Sequence, residues 1–326
     1  CPAAKGRSSR PPQPSPRVGR PVPSGGGLAR ALFAPRGVAL IGASRDESRA
    51  TARPLRYLRR HGFGGGIYPI HPTASEVGGV AAYPSVSAVP GPVDHALVLL
   101  GAERVVEAVR DCAAAGVRCV TVLSDGFAVA GPDGIARQQA LLDVARAGGV
   151  RVLGPNSIGV VGAGGFACST NAALDMPELP TGGCGVISQS GSMIGALPSQ
   201  GAARGIGFSG LVSVGNETDL SVGEIGTLML EDPACSAILL FLETFRDRAA
   251  LARFARAAEA AGKPVLAYKL GRSEAGQALA ANHTGALSGD DASANALLTR
   301  LGIARLRMFE ALYEAPPLFF GCGAAM

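Results

Sequence analysis

Val38-Ala39-Leu40-Ile41-Gly42-Ala43-Ser44-Arg45 is an apolar run that ends on a turn of small residues. The run has no polar alternation, so a strand built from it must be covered on both faces. Gly42 opens the turn, and a helical pattern over Ala52–Arg60 follows it. In a doubly wound sheet, such a strand–turn–helix offers backbone N–H groups and the positive end of a helix to a phosphate. The G-x-G-x-x-G fingerprint is absent, because Ala43 and Ser44 follow Gly42. The second strand runs into Tyr68-Pro69-Ile70-His71-Pro72 and lacks the acid that would hold a ribose 2′-hydroxyl. The turn therefore reads as phosphate-binding and not as an NAD site, with a plain tight turn as the structural alternative.

Outward from this stretch, apolar runs keep alternating with helical patterns. Strands are expected at Val38–Ile41, Gly66–Ile70, Ala96–Leu100, Cys119–Leu123 and Arg151–Leu153. The helices between them fall at Ala52–Arg60, Glu103–Ala115 and Ile135–Ala147. A second series has strands at Gly185–Ser188, Gly210–Val214, Ala237–Leu242, Val265–Leu270 and Ile303–Leu306. Its helices are Ser192–Ala203, Leu220–Leu230, Ala249–Ala261 and Asp291–Arg300. This alternation predicts an α/β fold of two consecutive doubly wound parallel-sheet domains, residues 31–160 and 183–315, joined by a Gly/Pro-containing connector at 161–182. Residues 316–326 read as an irregular end.

Hydrophobic residues make up 47% of the 326 and charged residues 17%, which suits a folded α/β chain. No run approaches the roughly 18–20 apolar residues that span a bilayer, so no membrane role is expected. The formal charge of +5 could suggest a nucleic-acid surface. However, Lys5, Arg7, Arg10, Arg17, Arg20 and Arg30 all lie in the first 30 residues, which hold no acid. Without those six, 24 basic residues face 25 acidic ones, so no nucleic acid is expected as a partner. Residues 1–30 are rich in Pro, Gly, Ser and Arg and are expected to be a disordered tail. The 7 Cys form no CxxC pair and no Cys/His cluster, so neither a zinc site nor a disulfide framework is expected; a reducing cytoplasm is the expected compartment.

Four polar segments stand out in the second half. Ser188-Gln189-Ser190-Gly191-Ser192 lies between an apolar strand and a helix, where hydroxyls and free N–H groups can cap the helix or hold a phosphate. Asn216 belongs to Gly215-Asn216-Glu217-Thr218-Asp219 at one strand end, and Glu243 closes another. An acid there faces the ligand edge of a parallel sheet, or it serves a helix start. His283, in Asn282-His283-Thr284-Gly285, is one of only 4 His and is surrounded by small residues. Neutral imidazole is nucleophilic near neutral pH, since its ordinary pKa is about 6.5. Alone, such a residue is a surface-loop His; beside the other three segments it is a candidate for chemistry.

Five landmarks in order carry a resemblance: Ile41-Gly42-Ala43-Ser44, Gly66-Ile67-Tyr68-Pro69-Ile70-His71-Pro72, Pro92-Val93-Asp94, Ser124-Asp125-Gly126-Phe127 and Gly154-Pro155-Asn156-Ser157. They resemble a coenzyme A-binding domain of the nucleoside-diphosphate-forming acyl-CoA synthetases, relatives of the succinyl-CoA synthetase α subunit. The resemblance runs over roughly residues 33–315 and implies a Rossmann-like CoA-binding domain followed by a flavodoxin-like ligase domain. It implies CoA contacts from Gly42, Ser44, Arg45, Pro72, Ser124 and Phe127. It also implies a phosphorylated His283, oriented by the carboxylate of Glu243, with phosphate held by Gln189, Ser190, Gly191, Ser192 and Asn216.

Two stretches depart from the pattern. The usual Gly-Lys-Gly-like loop is replaced by Glu47-Ser48-Arg49-Ala50-Thr51, and Gly101 stands where a proline is common. Arg45, Arg49 or Arg53 can supply the missing positive charge. The implied reaction joins a small carboxylic acid to CoA at the expense of ATP or GTP. The nucleotide and its Mg2+ are expected on a partner ATP-grasp domain, in an oligomeric assembly. A non-catalytic CoA-sensing module and a Rossmann oxidoreductase are the alternatives.

Overall fold

The structure, a computed structural model, describes residues 27–272 and 291–319. His283 and residues 1–26 of the expected tail lie outside the described residues.

Every residue of β1 (Gly37–Ile41) is buried, as its unbroken apolar run requires. It pairs in parallel with β2 (Gly66–Ile70) on one side and β5 (His95–Val98) on the other. Beyond β5 lie β6 (Cys119–Val122) and β7 (Arg151–Leu153), giving the parallel order β2-β1-β5-β6-β7. The crossover helices are α2 (Arg53–Arg60), α3 (Ala102–Ala114) and α4 (Pro132–Ala147). A two-residue hairpin, β3 (Glu76–Val77) and β4 (Val80–Ala81), follows β2. The order reverses between β1 and β5, which opens a crevice outside the strand ends at that point.

The second sheet has the order β14-β13-β12-β10-β11-β8-β9. Its parallel members are β10 (Thr181–Ser188), β11 (Phe208–Ser213), β12 (Ala237–Leu242), β13 (Val265–Lys269) and β14 (Ala304–Leu306). Helices α5 (Met193–Ala202), α6 (Val222–Leu230), α7 (Arg248–Ala260) and α8 (Asp291–Arg300) cover it. Here the order reverses between β10 and β12. The chain thus has the two doubly wound sheets that its alternating pattern predicts.

Two differences concern segments read as irregular. β8 (Gly159–Val161) and β9 (Ala167–Ser169) add an antiparallel pair to the second sheet, with β9 inside the stretch expected as connector. Both strands are three residues long, too short for a period to show, yet all six residues are buried. Helix α1 (Gly27–Phe33) begins inside the stretch expected as tail, because Ala29, Ala31, Leu32 and Phe33 bury against the body of the protein. Leu32 and Phe33 belong to a core cluster that includes Leu40 and Leu97 of the first sheet and Ile187 and Leu240 of the second. One continuous apolar core therefore joins the two sheets.

Polar contacts reinforce the same seam. The N–H groups of Asn216, Thr218 and Leu220 donate to the carbonyls of Pro155, Gly154 and Val152 at 2.8, 3.1 and 3.1 Å. The ligand edges of the two sheets are thereby held next to one another. Among the described residues, no helix is long and apolar enough to cross a membrane.

Candidate functional site

The crevice at the reversal of the first sheet is a cleft of about 840 Å³. Its walls include Gly42, Ser44, Arg45 and Pro72, four of the six residues expected to touch CoA. Gly42 has φ 87°, and a Cβ there would stand 2.6 Å from the Leu100 side chain, so only glycine makes this turn without displacing its neighbour. The Ser44 hydroxyl accepts from the Asp46 N–H at 3.0 Å and closes the turn locally. His71 also lines the cleft; its Nδ1 accepts from the Ala74 N–H at 3.0 Å, consistent with a rigid loop element.

Arg45 and Arg49, two of the three arginines expected to supply positive charge, both line the cleft. Arg53 turns away: its Nη1 donates to the Thr170 carbonyl at 2.9 Å, at the end of β9. Arg104, in the first turn of α3, is a further cation on the wall that the sequence reading did not select. A smaller groove of about 360 Å³ shares Ser44 and Arg45 and adds Arg56 and Arg59.

Ser124 and Phe127 do not line this cleft. Phe127 has no exposed surface and packs in the core of the first domain, so its side chain fills that core instead of meeting a ligand. Ser124 sits at the seam, where its carbonyl accepts from the Asn156 N–H at 2.9 Å. Its hydroxyl is buried and has no partner among the described residues, and the same holds for Asn216 Nδ2 and Thr218 Oγ1. The backbones of these three residues bond to three consecutive positions, Gly154, Pro155 and Asn156. Their unmatched polar atoms mark the seam as a place that accommodates water or a polar ligand group.

At the reversal of the second sheet, Gln189, Glu217 and Glu243 come together from β10, the turn after β11 and the end of β12. Gln189 is not available to a phosphate as expected. Its Oε1 accepts from the Glu243 and Thr244 N–H groups, the latter at 2.9 Å. Its Nε2 donates to the Thr244 carbonyl at 2.9 Å and to Glu217 Oε1. Both lone pairs and both protons of the amide are thus used. The residue braces the strand ends.

Ser190, Gly191 and Ser192 stand at the head of α5 as expected. The Ser190 and Ser192 hydroxyls are 3.0 Å apart, and no side chain caps the first turn of the helix. The Met193 and Gly195 N–H groups of this start already donate to the Ser190 and Ser192 carbonyls at 3.2 Å, so the two hydroxyls and the positive end of the helix are what it offers an anion. Glu243 is buried, 6% exposed, beside this start. Asn216 brings its buried amide to the same edge from the seam side. Among the described residues no group of three or more His, Cys, Asp or Glu side chains forms a metal site.

Two further residues at this edge escaped the sequence reading. Glu217 sits at φ 50° in the turn after β11, and burial raises its carboxyl pKa. Lys269, 4% exposed at the end of β13, donates to the Leu270 carbonyl at 2.5 Å and lies 6.0 Å over the Phe245 ring. Burial pulls its ammonium pKa below the usual range. In the sequence Glu217 is one of several polar residues in a turn and Lys269 ends an apolar strand, and neither carries a further signal.

Two family models match the chain in succession: a CoA binding domain over residues 36–163 and a succinyl-CoA ligase like flavodoxin domain over residues 181–319. The chain joins a domain of the CoA binding family to one of the succinyl-CoA ligase like flavodoxin family. It is 32% identical over 293 residues to acetate–CoA ligase [ADP-forming] II of Archaeoglobus fulgidus, covering 89% of this chain and 43% of the relative. It is 34% identical over 263 residues to the α subunit of acetate–CoA ligase [ADP-forming] II of Pyrococcus furiosus, covering 79% and 55%. Among solved structures it superposes on acetyl-coenzyme A synthetase 1 of Ca. Korarchaeum cryptofilum, in complex with phosphate and ADP. The TM-score is 0.80 at 33% identity, covering 88% of this chain and 61% of that one. The chain thus spans about half the length of the curated relatives it matches.

Proposed function

We propose that this chain is the α-type, CoA-binding and phosphoryl-carrying part of an acyl-CoA synthetase that converts carboxylate, CoA and NTP into acyl-CoA, NDP and phosphate. The observation that carries this reading is the pairing of two ligand edges. A cleft lined by Gly42, Ser44, Arg45 and Arg104 opens at one sheet reversal, and an uncapped helix start beside Glu243 stands at the other. The seam between them is fastened by backbone hydrogen bonds. An acyl-CoA and a phosphoryl group are the two ligands that such a pair would bring together.

CoA carries a diphosphate and a ribose phosphate, and the arginines of the cleft and its side groove supply the matching charge. His283 is the proposed phosphoryl carrier, with Glu243 accepting from one ring nitrogen so that the other is free to attack. The N–P bond of the phosphohistidine breaks as a carboxylate oxygen takes the phosphoryl group. The CoA thiolate then attacks the acyl carbon of the resulting acyl phosphate, the C–O bond breaks, and phosphate leaves. The two hydroxyls and the positive helix end at the head of α5 hold the charge of the phosphoryl group. NTP with Mg2+ binds to an ATP-grasp domain that acts with this chain.

The reading is tested by phosphoryl transfer. Label from acetyl phosphate, or from ATP and Mg2+ with an ATP-grasp partner present, is expected on the wild-type chain and absent in His283→Asn. Equal labelling of both proteins, or of neither, overturns it.

A further inference from the structure

Gln189 spends its whole hydrogen-bonding capacity inside the protein, and what it spends it on is instructive. Its oxygen takes the N–H groups of Glu243 and Thr244, and its nitrogen returns to the Thr244 carbonyl. The remaining proton goes to Glu217 Oε1. The other oxygen of Glu217 accepts from the Val222 N–H at 2.9 Å, at the first residue of α6. One carboxylate therefore ties the start of α6 to an amide that clamps the main chain at the end of β12. Glu217 also holds a left-handed backbone conformation, φ 50°, which a non-glycine residue adopts only at a cost. That turn directs the carboxylate inward. A conformation of this kind persists where the surroundings impose it, commonly at functional sites.

We propose that Glu217 is a positioning residue for this site, acting through Gln189 to fix the main chain from which Glu243 projects. The inference rests on the reading above, in which Glu243 orients the phosphoryl carrier. An amide has two faces and can flip; the clamp works only with its oxygen toward the Glu243 and Thr244 N–H groups. Glu217 reinforces that sense together with the Thr244 carbonyl, because a carboxylate accepts and never donates while ionised. Released from Glu217, the amide nitrogen keeps only the Thr244 carbonyl as acceptor, and the clamp on the Glu243 main chain is held less firmly. Burial raises the Glu217 pKa, and Arg246 and Asp247, on the loop after β12, act on it with opposite signs. Its other partners are N–H donors and not cations.

The full chain is assayed with acetate, CoA, ATP and Mg2+ in the presence of an ATP-grasp partner, so that turnover passes through the phosphoryl carrier, with acetyl-CoA formation as the readout and thermal melting as the check on folding. Glu217→Gln should lower kcat by about 10- to 100-fold while leaving the KM for CoA within about twofold. Gln189→Glu alone should lose as much, since it puts two carboxylates face to face. The double variant Glu217→Gln/Gln189→Glu restores a donor–acceptor pair with its sense reversed and should recover part of the lost rate, a coupling that independent sites would not show. The Gln189 side-chain N–H signals should exchange slowly in wild type and fast in Glu217→Gln. An active wild type with an equally active Glu217→Gln overturns this inference alone. So does a loss of rate matched by equal losses in CoA binding and melting temperature, with no recovery in the double variant. A wild type that makes no acetyl-CoA under any of these conditions removes the underlying reading and the inference with it.

Discussion

Arg151 and Asp219 are joined across the seam between the two sheets, with Arg151 Nε 2.9 Å from Asp219 Oδ2. The same oxygen accepts the Val152 N–H at 2.8 Å, and Arg151 Nη2 reaches Glu224 Oε1 at 2.8 Å. Asp219 follows the turn that carries Asn216 and Glu217, so this contact sets where the second ligand edge lies relative to the first. Asp219→Ala leaves a partly buried guanidinium half-paired and a backbone N–H without its acceptor. Loss of such a group costs about 1–3 kcal/mol, and partial exposure of the pair places the value toward the lower end. Urea denaturation should show that loss. An unchanged midpoint would mean that the apolar core alone aligns the sheets.

The cations of the first cleft should act on ligand affinity and not on folding. Arg104→Ala and Arg45→Ala remove charge from the cleft wall. Each should weaken CoA binding by about tenfold, in line with about 1.4 kcal/mol for one charge-assisted contact. Melting temperatures should stay within about a degree. Calorimetric titration with CoA checks this, and a substitution that leaves affinity intact would exclude that residue from the phosphate contacts.

Phe127→Ala should do the reverse. A fully buried aromatic side chain in the first-domain core leaves a cavity when truncated, at a cost of about 3–5 kcal/mol. Denaturant unfolding should register that loss, and protein that remains folded should bind CoA as wild type does.

Phe127 also shows where local sequence stops being informative. A phenylalanine after Gly126 reads the same whether the turn aims it at a ligand or into the core, and only the packing of α4 decides; a Cβ on Gly134 of that helix would stand 1.9 Å from the Phe127 carbonyl. By contrast, β1 spans Gly37–Ile41, one residue beyond the bounds its apolar run predicts, because a strand covered on both faces signals itself residue by residue. The three-residue strands β8 and β9 have no such length to signal with. The choice among Arg45, Arg49 and Arg53 was open for a related reason: the Arg53 contact with Thr170 links positions 117 apart in sequence. Gln189 is the sharpest instance. Its place beside a helix start suggests a phosphate, but its partners lie 28 and more than 50 residues away, and no local pattern specifies them.

His95 sets one limb of the pH dependence of folding. It is wholly buried, with Nδ1 3.0 Å from the Ala31 carbonyl and Nε2 2.9 Å from Thr121 Oγ1. Burial lowers its pKa from 6.5 to about 4. Below 6.5 the unfolded chain binds a proton that the folded protein refuses until about pH 4, so stability is complete above 6.5 and falls as pH drops toward 4. The full effect is about 3 kcal/mol. His95→Gln should flatten the melting-temperature curve between these limits, although it lowers stability at neutral pH. A variant as steep as wild type would assign the limb to carboxylates instead.

The head of α5 allows stability and function to be set against each other. No side chain caps its first turn, and Ser192 contributes only a hydroxyl. Aspartate in the first turn of a helix is favourable by about 0.3–1 kcal/mol through the helix dipole. Ser192→Asp should therefore raise the melting temperature slightly. The same carboxylate would occupy, with a fixed negative charge, the position that the proposed phosphoryl group needs, and it would repel a phosphate there. Phosphoryl labelling should fall by at least tenfold, while CoA affinity, set in the other sheet, stays as in wild type. A variant that is both more stable and fully able to take label would mean that this helix start is an ordinary helix end and that the phosphoryl group is held elsewhere.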